Sequence, residues 1–402
     1  MKLLLFLGSG ISVPSGLPTA AKLMDIILNA PYHHQGDGLF SPGPHPDREL
    51  RVSDLTRRIR RLLRFLISHD TRDIKRSGAA FRDTTTYEDI FFLCQQIRDW
   101  NIGLSDNSLT TPFMEYIENR AHGLLLGRTV EARMSDLATL GKHCCYFIES
   151  VVAETLNHKY LGGLNLILEL ANSPEMEQLN IVTLNHDTLV EQFLTANGVE
   201  FVDGFGEPDG DVRWSDDSLY DLSGAHVRVF KLHGSINWYS FAFSGDLRTA
   251  IFLGTSVWTA KDGGGKQFQA RTHRPSFLSG INKAIRYQQG IYADIHFRFL
   301  ELLRHSDRIL MSGYGWSDAA INLQLDTWLD RFRRNTIILL HERPEEIPQK
   351  SLIMGNSYDL RVRTGQLIRI KRWLCDVSLS DIKTSLLSSA QGFNLDAATP
   401  NS

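Results

Sequence analysis

A chain of 402 residues, 42% hydrophobic and 22% charged, has the make-up of a globular protein of one or two domains and not of a disordered or fibrous one. Its formal net charge of −3 offers no overall pull toward nucleic acid or an anionic membrane. No apolar run approaches the ~20 residues that cross a bilayer. Cys94, Cys144, Cys145 and Cys375 form no C-x-x-C pair, which argues against a disulfide framework or zinc ribbon and for a reducing cytoplasm.

The first predicted element is residues 3–7, an apolar run that reads as a short strand buried on both faces. It is too short for the ~7–15 apolar residues of a signal peptide. Gly8-Ser9-Gly10 follows, and Thr19 then caps a helix from Ala20 whose Leu23, Met24, Ile27 and Leu28 share a face. Strand, glycine turn and helix together let backbone N–H groups approach a phosphate. Val13 stands where the third glycine of G-x-G-x-x-G would fall, and no Gly-Lys-Ser/Thr follows. By itself such a turn is more often plain architecture.

Residues 30–50, rich in Pro and Gly, read as an irregular connector, and residues 51–172 as helical. Leu55, Ile59, Leu62, Leu63 and Leu66 make one stripe, with Arg57, Arg58, Arg60, Arg61 and Arg64 mostly off it. That basic side fits a solvated face, or a surface for an acidic partner or nucleic acid. Helical patterns recur over residues 87–100 and 134–156.

Residues 180–184 read as a strand ending in Asn185-His186-Asp187, followed by a helix over 188–196 and a short strand near 199–202. An acidic, Gly-rich loop spans 203–224, and a strand at 227–232 runs into His233-Gly234-Ser235. Gly263-Gly264-Gly265 marks a mobile loop. A strand at 308–311 breaks at Ser312-Gly313-Tyr314-Gly315-Trp316-Ser317-Asp318 before a helix from Ala319. Residues 336–340 and 367–370 complete the strands. The expected fold is α/β: a Rossmann-like doubly wound parallel sheet with a large helical insertion. Residues 1–35 and 175–390 form the sheet domain, 36–174 the insertion, and 391–402 a flexible tail.

Four segments thus share one pattern, a buried strand with polar or glycine residues at its C-terminal end. In an open parallel sheet those ends lie at one edge, where ligands bind. The motifs resemble those of the sirtuin (silent information regulator) family, specifically its bacterial anti-phage NAD-hydrolysing branch. The first is similar to Gly8-Ser9-Gly10-Ile11-Ser12 with Gly16-Leu17-Pro18, the second to Thr183-Leu184-Asn185-His186-Asp187, and the third to Lys231-Leu232-His233-Gly234-Ser235. Ser312-Gly313-Tyr314-Gly315 with Ser317-Asp318 stands where the family binds the adenosine part of NAD.

The resemblance implies that Gly8, Ser9, Gly10 and Ser12 hold the pyrophosphate, with Pro18 closing the turn. Asn185 and Asp187 would line the nicotinamide-ribose end between Thr183 and Gly234, and His233 would be the base. Breaking the N-glycosidic bond builds oxocarbenium character, an Asn can position water or a ribose hydroxyl, and a neutral imidazole can take a proton. Plainer roles stay open. Asn185 and Asp187 also suit helix caps, His233 a satisfied core histidine, and Ser317-Asp318 a cap as readily as a ribose ligand. Tyr314 and Trp316 suit packing better than stacking.

Deacylating sirtuins carry two C-x-x-C pairs that hold zinc after the histidine motif, and here residues 238–292 contain no cysteine. Thr19-Ala20-Ala21 also replaces the Asp-Phe-Arg that follows Pro in those enzymes. The resemblance therefore implies an NAD glycohydrolase, latent until it depletes NAD in infected bacteria, with NAD as substrate and no zinc. It implies a homo-oligomer acting with a partner such as a HerA-type ATPase, and neither membrane nor direct nucleic-acid binding. The alternatives are an NAD-dependent protein deacylase or ADP-ribosyltransferase, and a non-catalytic NAD or ADP-ribose sensor. No G-x-S-x-G elbow is present. His33-His34 and His143-Cys144-Cys145 are metal-capable types, but adjacent residues rarely share a tetrahedron, so no metal is expected.

Overall fold

The computed structural model describes residues 1–36, 38–43, 49–77, 85–100, 110–222, 224–243, 246–279, 283–347 and 351–387, so the expected tail at 391–402 lies outside the described residues. The strands in chain order begin with β1 (Lys2–Leu7), β2 (Tyr32–Gly36), β3 (Leu39–Pro42), β4 (Gln178–Thr183), β5 (Phe201–Val202), β6 (Val212–Trp214) and β7 (Val227–Lys231). They continue with β8 (Trp238–Phe243), β9 (Asp246–Phe252), β10 (Gln269–Ala270), β11 (Arg308–Ser312), β12 (Thr336–Leu340) and β13 (Leu367–Ile370). The first seven helices are α1 (Ala20–Asn29), α2 (Glu49–Ser77), α3 (Tyr87–Trp100), α4 (Thr110–Ala121), α5 (Val130–Leu156), α6 (Asn165–Ala171) and α7 (Leu189–Ala196). The others are α8 (Leu219–Leu222), α9 (Lys283–Arg286), α10 (Gly290–His305), α11 (Ala319–Arg331), α12 (Leu352–Arg363) and α13 (Leu379–Leu387).

Seven strands make one parallel sheet in the order β13-β12-β11-β1-β4-β7-β5. Without the short edge strand β5 this is the 3-2-1-4-5-6 order of a doubly wound sheet. The alternation of β1 shows why helices cover both faces. Leu3, Leu5 and Leu7 pack with residues of α6, α7 and α13. Leu4 and Phe6 point the other way, into residues of α10, α11 and α12. A strand apolar on both faces is stable only in such a sandwich.

The helical insertion has its own core. The stripe Ile59, Leu62, Leu63 and Leu66 of α2 packs there with Phe91, Cys94 and Ile97 of α3 and Cys144, Phe147 and Ile148 of α5. Thr19 caps α1, its Oγ1 accepting from Lys22 N at 3.3 Å, and the buried Leu23 and Ile27 of α1 join this cluster. By packing, then, α1 sides with the insertion and α6 with the sheet. No described helix is long and apolar enough to cross a membrane.

Three stretches depart from the sequence reading. Residues 30–50 contain an antiparallel hairpin, β2 with β3, whose Tyr32 and Phe40 rings meet Phe147 edge-on at 6.2 and 5.1 Å. Frequent Pro and Gly conceal strands this short, because packing on α5 supplies what local propensity does not. Residues 203–224 are not all loop but include β6 and α8, and Arg213 holds Asp203 with two guanidinium bonds of 2.8 and 2.9 Å. The region expected to be a mobile polar excursion forms a second sheet, ordered β10-β8-β9-β6, around Val212, Phe241, Ala250 and Phe268. Its glycine stretch turns tightly between the bridged Lys261 and Gln267, with Lys266 N donating to Asp262 Oδ1 at 2.8 Å.

Candidate active site

Register brings the four motifs together. Leu7 of β1 pairs with Thr183 on one side and Ser312 on the other, and Thr183 pairs with Lys231. These four residues form a row across neighbouring strands, and every motif begins or continues just beyond it. Asn185 and His233 each stand two residues past the Thr183–Lys231 pair, hence at one height on one edge. The winding reverses at β1, so the edge beside β1 and β11 is where a doubly wound sheet opens its crevice.

The glycine turn fits this edge for a reason other than the expected one. Gly8 N donates to Ser312 O at 3.0 Å, and Gly10 N donates to Gly313 O at 2.9 Å. A Cβ on Gly8 would lie 2.5 Å from Gly313 O and Tyr314 Cα. Gly313 has φ +70°, and its Cβ would lie 2.6 Å from Ile11 N. The glycines let two loops touch, and the amides of Gly8 and Gly10 serve that contact rather than facing an anion. Ser9 is exposed beside them, and Pro18 is half-buried where the turn ends.

Ser12 is the inward-facing member of the turn, 2% exposed. Its Oγ donates to Asp187 Oδ2 at 2.8 Å and accepts from Asn185 Nδ2 at 3.0 Å. Thr183 Oγ1 accepts from Asn185 N at 3.1 Å, fixing the turn out of β4. Asp187 Oδ1 accepts from Leu189 N at 3.2 Å, so this carboxylate starts α7 as well as holding Ser12. Lys231 Nζ donates to the Asp187 carbonyl and pairs with Glu191 at 3.0 Å. Asn185 Oδ1 is buried with no hydrogen-bond partner among the described residues. A buried acceptor left unsatisfied is costly and marks a place for a donor on a ligand or water.

His233 is 3% exposed. Its Nε2 lies 2.8 Å from the Tyr287 hydroxyl, which donates to Asp318 Oδ2 at 2.7 Å. With its one proton given to Asp318, the hydroxyl accepts from His233 Nε2–H. That assigns the tautomer and leaves Nδ1 as the basic nitrogen, with Lys283 Nζ 3.5 Å away. Burial first, then the Lys283 charge, lowers the His233 pKa, with Asp318 opposing. The imidazole is neutral at neutral pH. Burial acts to raise the Asp318 pKa, but the hydrogen bond of His233, with the Lys283 charge and the Ile321 amide, outweighs it and leaves the carboxylate low and ionised.

Asp318 therefore does two things. Its Oδ1 accepts from Ala320 N and Ile321 N at 3.0 and 3.1 Å, capping α11, and its Oδ2 orients the histidine. The sequence reading missed Tyr287 and Lys283, which follow no strand and carry no motif. The nearest signal is only that aromatic and basic residues flank a helical turn there. Tyr314 is a packing residue: its ring meets Phe6 edge-on at 5.3 Å, and its hydroxyl donates to Asn322 Oδ1 at 2.7 Å. Trp316 is fully buried with φ 60°, a strained conformation within the same loop, while Gly315 and Ser317 are exposed. Gly234, at φ +77°, lets residues 276–278 cross the end of β7, where Leu278 N donates to His233 O at 2.7 Å. Phe277 then packs on His186, with ring centroids 4.7 Å apart and the rings tilted by 34°. Asn185, at 5% exposure, and His233 are both closed to solvent.

Residues 179–362 match the family model described as a SIR2-like domain. Over that span the chain is similar to SIR2-like domains. A solved structure described as the crystal structure of a SIR2 homolog–NAD complex aligns over 96% of this chain and 91% of its own, at 12% identity and a TM-score of 0.38. No curated protein matches the chain. The matched SIR2-like span contains Thr183, Asn185, Asp187, His233 and Asp318, and β1 with its glycine turn precedes it. Among the described residues, no three His, Cys, Asp or Glu side chains gather as a metal would require.

Proposed function

We propose that the SIR2-like domain binds NAD at the edge beside β1, β4, β7 and β11 and hydrolyses it to nicotinamide and ADP-ribose. What supports this most is the pairing of a buried, unpartnered Asn185 Oδ1 with a neutral, oriented His233 at the same height on adjacent strands. In the proposed step the ribose C1′–nicotinamide N bond breaks and its electron pair leaves with nicotinamide. Water held at Asn185 Oδ1 forms the new C–O bond, and its proton passes to His233 Nδ1. The Tyr287–Asp318 pair keeps Nε2–H in place, as an orienting carboxylate does for other catalytic histidines. Ser12 Oγ, itself held by Asp187, holds the Asn185 side chain by its nitrogen.

The burial of Asn185 and His233 supports a resting protein whose site opens only on activation. Hydrolysis is preferred to deacylation because the stretch after the histidine motif is a cysteine-free antiparallel sheet and not a Cys-bearing zinc module. An anti-phage role, assembly into oligomers and a partner such as a HerA-type ATPase rest on the motif resemblance alone. The test is nicotinamide release from NAD by wild type, Asn185→Ala and His233→Ala, alone and in phage-infected cells. Each substitution is expected to slow release by about 10²–10⁴-fold, the range for a positioned acid–base group. Equal rates in all three would remove these residues from the site. Tight NAD binding without release under either condition would favour a sensor, and O-acetyl-ADP-ribose from an acetyl-lysine peptide a deacylase.

A further inference from the structure

The arginines beside the apolar stripe of α2 line a concavity of their own. Arg57, Arg60, Arg61 and Arg64, with Thr56 and Tyr32, wall a cavity of about 390 Å³ at the C-terminal end of α1. None of the described residues lining it is acidic, and Asp54 reaches the cluster through Arg57, at 3.3 Å. Thr56 is 5% exposed, and its Oγ1 has no hydrogen-bond partner among the described residues. Arg60 Nε is likewise buried and unpartnered. The other bonds of this group hold α1: Arg60 donates to Ala30 O, and Arg64 donates to Leu28 O and Asn29 Oδ1 at 3.1 Å each. Burial, then the neighbouring Arg64, pulls the Arg60 pKa below its usual value.

Clustered guanidinium forks with a buried hydroxyl match the oxygens of a phosphate, and the volume lies in the range of small-molecule sites. We infer that this cavity binds a phosphate-bearing small molecule of nucleotide size. It is not the strand-edge site, because the ten residues of α1 place about 15 Å of helix between the cavity and the glycine turn.

The test uses the full chain and calorimetric titration with pyrophosphate, ADP and a single-stranded oligonucleotide. Arg57→Gln/Arg61→Gln leaves the arginines that hold α1 in place, and Arg248→Gln is a charge control on the second sheet. Circular dichroism checks that each variant is folded. Pyrophosphate affinity is expected to fall at least tenfold in the double variant and about threefold in Thr56→Val. It should stay unchanged in Arg248→Gln. The arginine-dependent part of ADP binding should be tighter than that of pyrophosphate. Absence of anion binding, equal affinity in the double variant, or binding of the oligonucleotide alone would overturn the site, and ADP no tighter than pyrophosphate would overturn its nucleotide size.

Discussion

Lys283 Nζ lies 2.9 Å from Glu88 Oε1, so a residue of α3 in the helical insertion holds the ammonium that faces His233 Nδ1. The two residues are 195 apart in sequence, and their contact couples the insertion to the sheet edge.

Burial is the first cause of the lowered His233 pKa, and that coupling adjusts it. Lys283 lowers the His233 pKa and Glu88 raises it. Lys283→Met is therefore expected to raise it and Glu88→Gln to lower it further. NMR titration of the His233 ring reads both shifts without requiring turnover. Shifts of the same sign in the two variants would contradict the arrangement.

Tyr287→Phe removes only the hydroxyl between His233 and Asp318. Leaving that buried pair unbridged is expected to cost about 1–3 kcal/mol of stability, read from urea unfolding. Nicotinamide release should fall by about 10–100-fold, less than on removing the base itself, because the imidazole remains but loses its fixed tautomer. A loss as large as that of His233→Ala would make the tyrosine more than an orienting group.

Gly8→Ala and Gly313→Ala should each destabilise by about 1–3 kcal/mol through overpacking. Gly313→Ala adds the roughly 1–2 kcal/mol cost of a left-handed conformation. Gly315→Ala is the control, since no atom lies within 4 Å of its Cβ position and its φ is not positive. Urea midpoints that rank all three alike would show that the loops do not meet as described.

Acid should weaken the fold. Burial is the first cause of lowered pKa values at His143, to about 4, at His296, to about 3, and at His186 and His233. An unfolded histidine takes its proton near pH 6.5, well before these folded ones do. The stability they contribute is complete above that pH and is lost as pH falls from about 6.5 toward 4 and below. Glu149 and Glu191, raised by burial, act in the opposite sense. The urea midpoint should be lower at pH 5 than at pH 7.5, and an equal or higher midpoint at pH 5 would count against buried neutral histidines.

The strands of the parallel sheet were legible because their signal is local. Doubly buried strands such as residues 3–7 and 337–340 are continuous apolar runs, and the polar residues that end them stand out by contrast. Thr19 and the stripe from Ile59 to Leu66 were readable on the same ground, as a cap and a helical period. The hairpin β2–β3 and the second sheet were not. Their strands are short or half-exposed, and Phe40, Phe241 and Ala250 become core positions only against distant partners.

From its sequence alone the chain is determined to be a doubly wound sheet with its glycine turn, Asn185, His233 and Asp318 at strand ends, since apolar runs and strand-to-helix order require only neighbours in the chain. Tertiary structure decided what those residues touch. It set Asp318 behind His233 through Tyr287, gave the Gly8 and Gly10 amides to Ser312 and Gly313, and brought Glu88 to Lys283. Each of those contacts joins residues from different elements, and register and packing fix them where no local spacing can.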